Sequence, residues 1–301
     1  MGSVVISVDA ELGWGFHDVE EPPMERIEAA RQGWRSAIEL FDRFSVPATW
    51  AVVGHLFYDE CDGRHADHPG SPEWFTAEHT RWADRPDLRF GGDVLEELLA
   101  ADVDHDVGSH TFSHVVVTED WVSRETFSAD VEMAVAAARR RDVDTQSFVY
   151  PRNYVDYRDV LADHGIVTYR GERMLPASSV GRLAAKLGPA IDSRRVRLVE
   201  PSVDEYGLVA VPPSLYLYGF EGPLANRIDR LWTDPMLAHA RNGIDRAARE
   251  DGLFHIWFHP NNLVDRGAID RLEKVLAYLD RSRHDASLRV ETMADVSDRL
   301  T

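Results

Sequence analysis

Two periods of apolar spacing alternate along the chain. Residues 4–9, VVISVD, are a continuous apolar run with a polar end, the pattern of a buried strand. Residues 24–43 repeat apolar side chains at helical spacing and predict a long amphipathic helix. A strand is expected over 46–53, then a helix over 93–102, then a short strand in HDVGSHTF, 105–112. A helix over 123–141 with Ser123 as its cap follows, then a strand over 147–153 that stops at Pro151. Residues 157–165 predict a short helix ending at glycine, and 166–171 a strand. Further on, the pattern gives helices over 178–188, 234–251 and 268–283 and strands over 207–214 and 253–260. Between 58 and 90 neither period holds. That stretch is rich in His, Asp, Pro and Gly and is expected to be a long excursion near the mouth of a site.

Strand–helix alternation predicts an α/β fold in a single domain over 1–301. Polar residues stand at the carboxyl ends of predicted strands: Asp9, His110, Arg152, Arg170 and His259. In a barrel those ends converge on one face. An open Rossmann-like sheet is the rival, but ELGWG lacks that fold's glycine fingerprint.

Composition narrows the function classes. The formal charge is −19, from 52 acidic and 33 basic residues over 301 positions, and the acid is spread along the chain. A field of that sign disfavours nucleic acid and anionic membranes as partners. Lysine occurs only as Lys186 and Lys274, which resembles the surface of a halophilic protein. No apolar run reaches transmembrane length, and no basic region precedes the first strand, so a cytoplasmic location is expected. Cys61 is the sole cysteine, which excludes an intrachain disulfide. It lies in DECDGRHADHPG, without a fold signal, and is taken as a structural or incidental thiol rather than a nucleophile.

The candidate chemistry lies at three strand ends. Asp9 and Glu11 are two apart, so strand parity turns both carboxylates to one side. Two carboxylates there require a compensating cation or proton, unless the strand simply runs out into solvent. In SHTFSH, a helical turn over 110–114 would put His110 and His114 on one face. Such a pair is either a helix surface or two ligands of a borderline divalent metal such as zinc. Glu11, His110 and His114 together supply two nitrogens and one oxygen and leave room for water. In FHIWFHPNN, His255, Trp257 and His259 share a strand face, and His259 stands nearest the active end as a candidate acid.

SVDAE, SHTFSH and IWFHP, in this order, resemble motifs of the polysaccharide deacetylase family, the NodB-homology or carbohydrate esterase family 4 group. The matches run from about residue 4 to 260. The resemblance implies an α/β fold, a distorted (β/α) barrel of about seven strands, and one divalent ion, zinc being expected, held by Glu11, His110 and His114. Many members place a second aspartate directly after the first. Ala10 stands there in this chain, so it resembles a divergent branch with a D-x-E motif. Asp9 corresponds to the general base and His259 to the acid. The family's base-orienting arginine corresponds to Arg152, displaced to the far side of Pro151, with Arg170 as the alternative.

The implied activity is metal-dependent hydrolysis of a carbon–nitrogen amide bond, removing N-acetyl from an amino sugar such as a cytoplasmic glycan precursor. Trp14, Trp74, Trp82 and Tyr154 are candidate stacking faces, and the N–H groups of Asn153 and Tyr154 candidate oxyanion donors. One rival function is a metal-dependent amidase for a small linear or cyclic amide. The other is a non-catalytic carbohydrate-binding or scaffolding protein.

Overall fold

The computed structural model describes residues 1–172, 188–220, 234–285 and 288–301. The first strand, β1 (Gly2–Ala10), is buried at every position and lies inside the sheet. The strands β2 (Thr49–Val52), β3 (Asp106–Ser109), β4 (Ser147–Phe148) and β5 (Thr168–Tyr169) follow it outward on one side. Then come β6 (Ser202–Val203), β7 (Val209–Ala210), β8 (Leu215–Tyr216), β9 (Leu253–Phe258) and β10 (Leu288–Glu291). The spatial order is β6-β7-β5-β4-β3-β2-β1-β9-β8, with β10 paired to the start of β1. All pairings between these strands are parallel except β6 with β7, and an isolated antiparallel bridge joins Val199 to Leu253.

The expected α/β fold is present as a curled, open half-barrel sheet with β6 and β8 as its outer strands, in place of a closed barrel of about seven strands. Short strands account for the difference. β4, β5, β6, β7 and β8 span two residues each, so they curl the sheet without a ladder long enough to close it.

The helices are α1 (Met24–Phe44), α2 (Gly92–Leu99), α3 (Arg124–Arg139), α4 (Arg158–Asp163), α5 (Pro235–Glu250), α6 (Arg266–Asp285) and α7 (Met293–Leu300). In α1, Ile27, Ala30, Trp34, Ala37, Ile38 and Phe41 recur at three- and four-residue spacing and are buried. Trp34 stacks on Trp50 of β2 with ring centroids 5.5 Å apart. Ser45 ends the helix in the left-handed region at φ 48° and donates its N–H to Asp42 and Phe41. β2 begins later than expected because Pro47 has no N–H for the ladder. The Ser123 hydroxyl accepts from the N–H of Thr126, as expected of a cap. Of the helix expected over 178–188, residues 178–187 lie outside the described residues.

Parallel strands bring their carboxyl ends to one edge of the sheet, where ligands of α/β folds bind. His110, Arg170 and His259 each follow the last residue of β3, β5 and β9, and Asp9 stands one before the end of β1. The excursion over 58–90 is not a bare loop. It holds helical turns at Pro72–Phe75, Thr76–His79 and Pro86–Arg89. Ala77, Trp82 and Leu88 pack against Ile27 of α1, and Gly13 donates its N–H to Leu88 over 3.1 Å.

Candidate active site and metal centre

Asp9 and Glu11 enter one pocket, as strand parity requires. Asp9 is clamped by Arg170: Nη1 donates to Oδ1 over 2.6 Å and Nη2 to Oδ2 over 2.7 Å. Both partners are buried. Arg170 also donates to Ser7 and from Nε to Asn153, and its guanidinium lies 4.4 Å from the Trp257 ring centre. Burial alone would push the Asp9 carboxyl up, but Arg170 and His259 outweigh it and hold the group below its ordinary value.

Glu11 faces the two histidines. Its Oε2 lies 3.7 Å from His110 Nε2 and 3.1 Å from His114 Nε2. One ligand atom from each of the three residues lies within 4.8 Å of the others. His110 Nδ1 is 2.7 Å from the Val149 carbonyl. That nitrogen must carry the proton, which leaves the Nε2 lone pair turned toward Glu11. Asn261 donates to Glu11 Oε1 over 3.2 Å. Gly15 admits the carboxylate, because a Cβ there would stand 2.2–2.6 Å from the Glu11 carboxyl atoms. Burial raises the Glu11 pKa, but His259, His110 and His114 together bring it well below its ordinary value. The same burial lowers His114. A carboxylate oxygen and two imidazole nitrogens form a donor set for a divalent ion, held in place by outer hydrogen bonds.

The histidine pair does not sit on a helix. Thr111 and His114 both have left-handed φ, 63° and 59°, so residues 110–114 form an irregular turn rather than the expected helical one. Asp130 of α3 organises it. The carboxylate accepts from the Phe112 N–H over 2.6 Å, the Ser113 hydroxyl over 2.7 Å and His68 Nε2 over 3.2 Å. Asp130 is fully buried and was missed at the sequence level. Its signal was there: an acid on the apolar stripe Phe127, Asp130, Val131, Ala134. Asn261 and Gly15 were missed as well.

His259 completes the arrangement. Its Nε2 is 3.6 Å from Asp9 Oδ2 and 3.6 Å from Glu11 Oε1. Asn262 fixes the turn, accepting from the His259 N–H over 2.9 Å. His255 lies deeper on the same strand face. It contacts Ser7 Oγ over 2.8 Å and the carbonyls of Val211 and Pro212, so it is a satisfied core histidine.

Asp9, Glu11, His110, His114 and His259 line a cavity of about 250 Å³ together with Arg152, Asn153 and Asn261. Arg152 does not reach Asp9. It pairs with Asp18 over 3.0 Å, and the arginine against Asp9 is Arg170. The displacement follows from Arg152 sitting in a turn at φ 58°, past the end of β4. The aromatic walls also differ from expectation. Trp14, Trp74 and Trp82 are buried in the core and Tyr154 is exposed, whereas Phe16, Tyr216 and Trp257 line the cavity. The N–H groups of Asn153 and Tyr154 are turned inward, to the carbonyls of Tyr150 and Pro151.

The fold resembles three solved structures along almost the whole chain. One is a "putative polysaccharide deacetylase" from Mycobacterium smegmatis, at TM-score 0.64 and 14% identity, covering 99% of this chain and 89% of that one. Another is a "probable Polysaccharide deacetylase" from Pseudomonas aeruginosa PAO1, at TM-score 0.60 and 13% identity, covering 98% and 89%. A GH57-type branching enzyme from Pyrococcus horikoshii matches at TM-score 0.57 and 10% identity, covering 100% of this chain and 70% of that one. No protein-family model and no curated protein matches the sequence. At these identities the likeness is one of fold, and a fold of this kind hosts more than one chemistry.

Proposed function

We propose that this chain, as one domain over 1–301, is a metal-dependent deacetylase of the D-x-E branch of the polysaccharide deacetylase family. Its proposed reaction removes the N-acetyl group of an amino sugar, as in a cytoplasmic glycan precursor. One observation carries the proposal: a carboxylate clamped by arginine, a Glu–His–His donor set and a solvent-reachable histidine meet in one cavity. Glu11, His110 and His114 would hold the divalent ion, with zinc the best fit to two imidazoles and a carboxylate. When bound, such an ion supplies Lewis acidity toward a water and the amide carbonyl.

The protein's own groups supply the proton traffic. Asp9 is held ionised by Arg170, and Arg170 also fixes the plane of the carboxylate. A carboxylate of lowered pKa is a weak base, so Asp9 would depend on the acidity that such an ion would lend a water. His259, protonated at Nε2, donates to the departing amine, which is a poor leaving group without that proton. Its side chain is 19% exposed, against 3% for Asp9, so it recovers its proton from solvent. Trp257 and Tyr216, stacked at 4.3 Å, offer an apolar wall to a sugar ring.

The cavity of about 250 Å³ gives the second reading its support. It lies just below the range of about 300–1,000 Å³ usual for ligand sites and suits a single ring or a small amide. The test is acetate release from N-acetylated amino sugars beside a panel of small linear and cyclic amides, with divalent-loaded protein. Turnover of acetamido sugars is expected. Turnover confined to the small amides would favour an amidase. Metal binding with no hydrolysis of any member would leave a non-catalytic carbohydrate-binding or scaffolding protein.

A further inference from the structure

A second group of metal-type donors lies in and beside the excursion. His55 belongs to the turn Gly54–Phe57 directly after β2, and Glu78 to the helical turn Thr76–His79. Cys61 and His65 flank a tight loop between them. One ligand atom from each of these four residues lies within 4.8 Å of the other three. Glu78 and His55 are buried, and Cys61 and His65 are half-buried.

The donor atoms face one another in pairs. His55 is 0% exposed and its Nδ1 lies 3.1 Å from the Arg89 carbonyl. Nδ1 therefore carries the proton. Nε2 has no hydrogen-bond partner and stands 3.2 Å from Glu78 Oε2. The ring nitrogen and the carboxylate oxygen meet in the interior, where one bound cation can serve both. His65 Nε2 faces both Glu78 Oε1, at 2.5 Å, and Cys61 Sγ, at 3.8 Å. A ring nitrogen carries at most one proton and cannot donate to both. One metal ion can bind all four donor atoms at once, since each lies within 4.8 Å of the others.

The surroundings resemble an outer shell. Arg89 donates to Glu78 Oε2 from Nη2 over 2.7 Å and from Nε over 3.1 Å, fixing the carboxylate. Gly63 donates its N–H to Cys61 Sγ over 3.3 Å. Gly63 has φ 70°, and a Cβ there would stand 2.8 Å from the His79 ring, so glycine is required in this loop. His65 itself sits at φ 42°, a conformation that its neighbours must hold.

We propose that His55, Cys61, His65 and Glu78 form a second, closed site for a divalent transition-metal ion of the zinc type, independent of the Glu11 centre. One thiolate, two imidazoles and one carboxylate fill a tetrahedral shell, which leaves no position for a reacting water and makes the site structural. It ties the excursion to the loop carrying Glu11. The Arg89 carbonyl that accepts from His55 also accepts from Trp14 Nε1 over 3.1 Å. The Trp14 ring lies 4.4 Å from His55, and its backbone N–H donates to the Glu11 carbonyl.

Cobalt(II) added to the chelator-stripped full chain tests this, because only this site contains sulfur. Two equivalents are expected to bind, one of them producing a thiolate-to-cobalt charge-transfer band in the near ultraviolet. Cys61→Ser should abolish the band, and Glu11→Ala should leave it in place. If Cys61→Ser fails to fold, the wild-type protein still decides. Cobalt should slow alkylation of Cys61, the sole cysteine, by about tenfold or more. A single equivalent without the band, or alkylation at the same rate with and without cobalt, would overturn the proposal. Loss of binding at Glu11 with the band intact would count only against the catalytic centre.

Discussion

Glu11, His110 and His114 open onto a cavity, whereas His55, Cys61, His65 and Glu78 close upon one another. Both groups combine imidazole with carboxylate and both are tied down by outer hydrogen bonds. What separates them is the number of protein donors and the company they keep. Three donors leave a position facing Asp9 and His259. Four donors, one of them a thiolate, leave none. Reactivity therefore follows from what is omitted from the shell, and the same residue types serve support when the shell is complete.

The contrast breaks first at Glu11. Glu11→Ala should empty the open centre and reduce deacetylation by more than about 10⁴-fold, since water activation and charge stabilisation go together. Metal analysis should then find the closed site still filled. Equal loss of both ions would show that the two are one cooperative unit.

Asp9→Asn and His259→Ala sharpen the comparison from within the open site. Each should retain metal and lower amide hydrolysis by about 10²–10⁴-fold. The His259 variant should lose much less on an activated aryl acetate, whose leaving group needs no proton. Equal loss on amide and ester would assign His259 to positioning.

The two arginines differ next. Arg170→Ala leaves Asp9 buried without its partner and should cost about 3–5 kcal/mol in chemical denaturation. Arg152 is 38% exposed in its pair with Asp18, so Arg152→Ala should cost no more than about 1 kcal/mol. The reverse order would restore Arg152 as the residue that supports the base.

A smaller effect than that at Arg170 is expected on acid stability. Burial, with Arg170's charge, lowers His255 from 6.5 to about 3. Between those values the unfolded chain binds the extra proton, so stability falls as pH drops below about 6.5. At pH 5 this residue's share is about 2 kcal/mol. Urea midpoints against pH should flatten in His255→Gln; an unchanged slope would place the loss elsewhere.

Much of this was legible in the sequence for physical reasons. Strand parity turned Asp9 and Glu11 together, and position at a strand end separated His259 from His255. The rest depended on contacts between distant segments. Arg170 and Arg152 both follow predicted strands, and only the strand order and a left-handed turn decide which one meets Asp9. SHTFSH carries no sign that Asp130 will replace helical hydrogen bonds with its own carboxylate. DECDGRHADHPG has no period, so Cys61 read as incidental until folding brought His55 and Glu78 to it. Strands of two residues hold too little pattern to count, which is why the sheet's true extent was not seen.

The central claim is an ion held by Glu11, His110 and His114 beside a free Asp9. Anomalous scattering from crystals of zinc-loaded protein, recorded on both sides of the zinc edge, tests it directly. The account predicts a peak bonded to Glu11, His110 Nε2 and His114 Nε2, with Asp9 outside bonding distance and still paired to Arg170. A peak ligated by Asp9 in place of Glu11, or none among well-ordered side chains, would contradict it.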